Sequence, residues 1–159
     1  MTSDSVFLLL DKIGAHEPSL VKIILDFVFI PCYENKRKYK FIRAIPKPGT
    51  DFIDTCAFEY NEELVGVIID TQVKTIKEGA FIYCKNLKFI DLGNVETISA
   101  SSFQNCEKLE NLMLPDTIKN IGYGVFAECK NLKKIDFPKK INFLGVGVFR
   151  GCQSLISIK

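Results

Sequence analysis

The sequence predicts an α/β solenoid, a stack of near-identical coils with a parallel sheet along one face and a helical cap at the N-terminal end. Two observations carry this expectation. Phe58, Phe81, Phe103, Phe126 and Phe149 are separated by 23, 22, 23 and 23 residues, a period in the range of repeat architectures whose units cannot bury an apolar face alone. Other apolar columns keep step with the phenylalanine: Leu64, Leu87, Leu109, Leu132 and Leu155 six residues on, and Ile53, Ile76, Ile98, Ile121 and Leu144 five residues before.

Each coil is expected to hold one short strand. Segments such as Ile90-Asp91-Leu92 and Leu112-Met113-Leu114 end in a period of two, which sends alternate side chains to opposite faces of a sheet. Pro115 and Pro138 follow two of these segments, where a fixed φ and a missing N–H end ladder pairing. Gly122 and Gly145 are read as relaxing the backbone before the phenylalanine. The phenylalanine segments, for example Gly124–Cys129, are too short for a full helix, so a single turn of α or 3₁₀ character is expected opposite the strand.

The copy from Cys106 to Cys129, CEKLENLMLPDTIKNIGYGVFAEC, resembles the BspA-like class of leucine-rich repeats. The resemblance covers residues 58–159 and implies a right-handed coil carrying a leucine-rich repeat array. The first copy departs from the motif, with Asn61 at the cysteine place and Gly66 and Val67 in the strand, as atypical terminal repeats do. The domain boundaries that follow are a capping segment at 1–38 and a repeat domain at 39–159, which opens on a degenerate half-repeat and continues through five phenylalanine-marked repeats.

Four of the six cysteines, Cys84, Cys106, Cys129 and Cys152, stand three residues after the repeat phenylalanine. Stacked coils lie about 4.8 Å apart, so the thiols are expected to form an internal ladder of small apolar fillers rather than disulfides. A zinc site wants ligands converging from turns, not one per layer. Cys32 and Cys56 lie outside the ladder.

In the N-terminal segment, Ser3 or Asp4 can cap a helix running through Val6 to Ile13 and ended by Gly14. Pro18 can open a second helix through Leu20, Ile23, Ile24, Phe27 and Val28, stopped by Pro31. Such a helical hairpin would cover the first coil's open interior. Residues 18–27 also distantly resemble the opening of an F-box, without its later part. Lys36 to Lys40 reads either as a solvated connection or as a nuclear import signal, and Tyr39 to Ile45 returns to a strand pattern.

The composition narrows the function classes. With 21 basic against 19 acidic residues, the net charge of +2 is too slight for nucleic-acid binding to be the main role. The run Leu20 to Ile30 is short and holds Lys22 and Asp26, so membrane insertion is not expected. Met1 to Asp4 has no basic n-region and no Asn-x-Ser/Thr acceptor occurs, which favours a reducing cytoplasmic setting, nuclear if the basic cluster is an import signal. His16 is the only histidine and leaves no triad partner. Asp91 and Asp136 are two coils apart on a face too shallow to raise a carboxyl pKa. Neither catalysis nor a metal or other cofactor is expected.

Binding remains. The outward strand positions form two rows, Gly66, Phe89, Asn111, Lys134 and Ser157, and Ile68, Asp91, Met113, Asp136 and Lys159, with Phe89 and Met113 as exposed anchors for a protein partner. Ile68, Phe89, Asp91, Asn111, Met113, Lys134 and Asp136 are the candidate partner-binding residues. Phe149, Leu155, Ile156 and Ile158 form a candidate self-association edge. The expected function is a non-catalytic protein-interaction scaffold or adaptor. The resemblance also implies a cell-surface adhesin that binds extracellular matrix and reaches the surface without a signal peptide, and other leucine-rich repeat chains suggest a regulatory subunit of an enzyme such as a protein phosphatase.

Overall fold

The computed structural model describes residues 28–31 and 41–158, and these form a parallel β-solenoid. Twelve strands follow in chain order: β1 (Val28–Pro31), β2 (Phe41–Ile45), β3 (Phe52–Ile53), β4 (Gly66–Ile69), β5 (Thr75–Ile76), β6 (Phe89–Asp91), β7 (Thr97–Ile98), β8 (Asn111–Met113), β9 (Asn120–Ile121), β10 (Lys134–Asp136), β11 (Phe143–Leu144) and β12 (Ser157–Ile158). Each coil therefore holds two strands where the sequence reading expected one. The second is the two-residue piece at the isoleucine five places before the phenylalanine, and these pieces pair in the order β11-β9-β7-β5-β3. The period-two signal is too short to see in two residues.

The main strands pair in parallel in the orders β1-β2-β4-β6 and β8-β10-β12. The strand expected between Tyr39 and Ile45 is present as β2. The expected helix through Val28 is corrected: Val28–Pro31 is a strand, with Val28 opposite Ile42 and Pro31 opposite Ile45. A Val-Phe-Ile run suits a pleated surface better than a helix end, and an edge strand tolerates a proline. The rest of the expected helical hairpin, residues 1–27, lies outside the described residues, as do His16, Cys32 and Lys36 to Lys40.

The third side of each coil is the phenylalanine turn, and it is not a helical turn. Its amides alternate between two kinds of partner. In the coil of Phe81, the amides of Ala80, Ile82 and Cys84 donate to the carbonyls of Lys77, Gly79 and Phe81, whereas those of Gly79, Phe81 and Tyr83 donate to Ala100, Ser102 and Gln104 of the next coil. The residues two places before and after every repeat phenylalanine have positive φ, between 52° and 74°, including the non-glycine residues Cys56, Tyr60, Tyr83, Ser101, Asn105 and Glu128. A continuous 3₁₀ helix cannot contain left-handed residues. The chain instead exchanges half of its local hydrogen bonds for bonds to its neighbour.

The interior is filled column by column. Phe58, Phe81, Phe103 and Phe126 are at most 1% exposed, and successive rings from Phe58 to Phe149 stack at 4.9, 5.2, 5.7 and 6.1 Å with interplanar angles of 11° or less. The thiol column behaves as expected and adds a role that the spacing alone did not show. Cys84, Cys106, Cys129 and Cys152 donate Sγ hydrogen bonds of 3.1 to 3.4 Å to the carbonyls of Phe58, Phe81, Phe103 and Phe126. Each of the last three carbonyls also accepts the backbone amide of its own coil's cysteine, so the thiol engages the second lone pair of a buried oxygen. Burial pushes the Cys84 thiol up to about 12 and holds Cys106 and Cys129 well above the usual thiol range, so all three stay protonated donors.

Gly122 and Gly145 serve close approach rather than backbone freedom. Neither has positive φ, and an added Cβ would lie 2.6 Å from the Ala100 nitrogen or 2.5 Å from the Gly122 carbonyl carbon.

The main sheet is interrupted once. β6 and β8 lie side by side, yet no ladder joins them. The break coincides with the coil that is one residue short. Leu92 and Ile98 are six residues apart, whereas Ile69 and Ile76, Leu114 and Ile121, and Phe137 and Leu144 are seven. The missing residue falls in the corner after β6, where Gly93 takes a φ of +54° and a Cβ would stand 2.8 Å from the Ile69 carbonyl oxygen.

Three outcomes follow. Phe103→Ala should cost about 3–5 kcal/mol out of a typical total of about 5–15 kcal/mol, seen as a large fall in the melting temperature by circular dichroism. Iodoacetamide labelling with peptide mapping should modify Cys56 in the native protein and reach Cys84, Cys106 and Cys129 only after unfolding. A proline inserted between Leu92 and Gly93, in the manner of Pro115 and Pro138, should restore the ladder and slow hydrogen exchange at Asn111–Met113; unchanged exchange would assign the break to another cause.

Candidate functional site

The face with room for a partner is the outer side of the main sheet, and its two halves differ. β4 is buried at all four positions. Two expected anchors fall in this covered half and are corrected: Ile68 is 7% and Phe89 9% exposed. Covering such side chains stabilises by about 1.5–3 kcal/mol each relative to leaving them in water. The signal was present in the sequence, because Val67-Ile68-Ile69 is a continuous apolar run of the sort found in strands covered on both faces. Ile90-Asp91-Leu92 alternates and marks where the cover ends.

Beyond the interruption the alternation is clean. In β8 and β10 the central residues Leu112 and Ile135 are buried while Asn111, Met113, Lys134 and Asp136 are exposed. Lys134 lies opposite Asn111 on one side and Ser157 on the other, and Asp136 lies opposite Met113. These four expected residues are thus brought together as a patch two strands wide, with Met113, 55% exposed, as its apolar centre. Asp91 lies on β6, across the break in the ladder. Its Oδ1 accepts the Gly93 amide at 3.0 Å and shapes the short corner.

Flanking this face, charges alternate in sign from coil to coil. One column reads Asp51, Lys74, Glu96, Lys119, Asn142; a second Glu62, Lys85, Glu107, Lys130, Gln153; a third Val65, Lys88, Glu110, Lys133, Ile156. Lys119 approaches Glu96 at 2.6 Å, Lys130 approaches Glu107 at 3.1 Å and Lys133 approaches Glu110 at 2.9 Å. A hydrogen bond from Lys119, then its charge and the weaker pull of Lys74, hold the Glu96 carboxyl below the usual range. Exposed pairs of this kind add little energy singly because water screens them. Their effect is on register, since a coil slipped by one layer would oppose like charges.

The expected self-association residues all belong to the fifth coil. Phe149 and Leu155 are half-buried, Ile156 is 82% and Ile158 55% exposed. The same coil exposes Phe143, Leu144 and Val146, at 43%, 51% and 81%, which the sequence reading did not single out. Val146 and Phe143 stand at outward positions held by Tyr123 and Asn120 one coil earlier, so comparing columns outside the repeat motif would have found them.

Among solved structures, a leucine-rich repeat protein of T. pallidum is 28% identical with a TM-score of 0.74 over 84% of this chain and 63% of that one. A leucine-rich repeat protein of Bacteroides ovatus is 29% identical with a TM-score of 0.62, over 67% of this chain and 28% of that one. The pneumococcal vaccine antigen PcpA is 25% identical with a TM-score of 0.64, over 82% and 32%. This chain thus spans less than two thirds of each of these proteins. No curated protein matches it. Residues 51–159 match the BspA type leucine-rich repeat region in six copies, and the chain belongs to that family.

Proposed function

We propose that this chain is a non-catalytic protein-interaction scaffold that works by display. The observation that carries the reading is the patch of Asn111, Met113, Lys134 and Asp136, four exposed side chains of mixed chemistry on strands whose other face is locked into the core. A rigid ladder presents such a patch with little ordering entropy left to lose on association. A methionine at the centre with polar and charged residues around it has the composition of a core-and-rim contact.

Met113→Asp combined with Lys134→Glu is the direct test. Affinity capture with quantitative mass spectrometry should lose a specific protein from the double variant, with binding weakened at least about tenfold, the effect of about 1.4 kcal/mol, while the melting temperature stays close to that of the parent. An unchanged set of captured proteins would sink the reading. Phe89→Ala should act differently: because the ring is covered, it should lower stability by about 3–5 kcal/mol rather than report on the patch.

We place the scaffold inside the cell. The support is an exposed free thiol at Cys56 and, among the described residues, four other unpaired thiols, a pattern that suits a reducing compartment. A surface adhesin is the second reading, favoured by the likeness to a protein described as a pneumococcal vaccine antigen. Antibody staining of intact against permeabilised cells separates the two: signal only after permeabilisation supports the first, and signal on intact cells the second.

A further inference from the structure

We propose that residues 1–27 of this chain dock on the outer side of the main sheet and cover Ile68 and Phe89. The inference is independent of the exposed patch, and three observations lead to it.

The first is burial outside the core. Ile68 and Phe89 are 7% and 9% exposed, yet neither joins the cluster of side chains packed inside the coils, to which Val67 and Ile69 belong. Both hold outward columns: Ile68 lies opposite Asp91, and Phe89 lies opposite Gly66, which is itself buried. A parallel strand buried on both faces needs a second layer over its outer side. Among the described residues, β4 has β2 and β6 as its partners in the sheet, and these lie beside it rather than above it. The exposures are those of one chain, so the covering layer is part of that same chain.

The second is where the cover stops. In the column of Ile68, Asp91 is half-buried and Met113 is 55% exposed; in that of Phe89, Asn111 is exposed. Burial therefore increases toward the end of the sheet formed by β2 and β1. Val28 opens β1, which stands two strands from β4 in the order β1-β2-β4, roughly 10 Å at the usual strand spacing. Residues 1–27 thus join the sheet at its covered end.

The third is composition, which separates the two N-terminal stretches outside the described residues. Residues 32–40 join β1 to its parallel neighbour β2 and include Lys36, Arg37, Lys38 and Lys40, whose charged heads seek water. Before β1, Leu20, Ile23, Ile24 and Phe27 follow the i, i+3, i+4, i+7 spacing of one apolar helical stripe. Such a stripe is stable in water only against an apolar surface, and Ile68 and Phe89 supply one.

The test uses the full chain in two arms. In the first, p-azidophenylalanine takes the place of Phe89, the protein is irradiated, and cross-linked peptides are identified by mass spectrometry. We expect links within one chain to peptides of residues 1–27. Links to residues 32–40 alone, links only between chains, or no links overturn the proposal. In the second arm, Ile68→Cys is treated with iodoacetamide, alone and combined with Ile23→Asp and Ile24→Asp. The introduced thiol should be protected alone and should react at least about tenfold faster in the combination, as local uncovering does. Cys84, Cys106 and Cys129 should stay unlabelled in both, which shows that the coils remain folded. Equal labelling of the introduced thiol in the two proteins overturns the proposal. Should the core thiols react as well, the cross-link decides.

Discussion

No coil of this protein can satisfy its own backbone. In the turn that carries each phenylalanine, alternate amides find a carbonyl three residues back and the rest must reach the next coil. Left-handed residues on either side of the ring make that alternation possible, at a conformational cost of about 1–2 kcal/mol for each one that is not glycine. The ring stack, the thiol bonds and the two parallel ladders all depend on the layer spacing that these shared amides set. A cysteine can reach the phenylalanine carbonyl of the preceding coil only because that carbonyl is held one layer away, pointing inward.

Mutual dependence of this kind makes stability a property of neighbours rather than of single repeats. The ring spacing shows the gradient along the array, widening from 4.9 Å between Phe58 and Phe81 to 6.1 Å between Phe126 and Phe149. Rings flanked on both sides by others are wholly buried, whereas Phe149 has a stacked partner on one side and meets Phe137 edge-on at 5.9 Å. The same asymmetry runs through the cysteines: Cys106 and Cys129 lie in full interior layers, and Cys152 keeps partial exposure with a smaller upward push on its thiol from burial.

The columns that recur were legible in the sequence because burial in a solenoid imposes the same demand on every layer. Phenylalanine, leucine, isoleucine and cysteine positions therefore announced themselves by period alone. What the period hid were features with no apolar signature or features that differ between layers. The two-residue strands rest on backbone pairing, which Thr75, Thr97 and Asn120 serve equally well. The left-handed turn positions accept cysteine, tyrosine, serine, asparagine, glutamate and glycine, so no residue type marks them. Phe89 was assigned to the open face because its column elsewhere holds Asn111 and Lys134; only its neighbours Val67 to Ile69 betray that this part of the sheet is covered. In the candidate patch, Asn111, Met113, Lys134 and Asp136 were legible from alternation, and they are the residues where alternation is unbroken on both sides.

One missing residue then organises the surface. The first ladder ends at the shortened corner after β6, and the covered half of the outer face ends at the same place. An uninterrupted sheet would run its edge-to-edge twist smoothly from β4 to β12, and the patch would be continuous with a strand buried on both sides. The interruption instead makes β8, β10 and β12 a sheet of their own, anchored to the rest of the molecule through the phenylalanine stack and the two-residue strands. The exposed patch of Asn111, Met113, Lys134 and Asp136 belongs to this three-stranded unit. The corner that is one residue short thus lies between the part of the outer face that is covered and the part whose side chains are exposed.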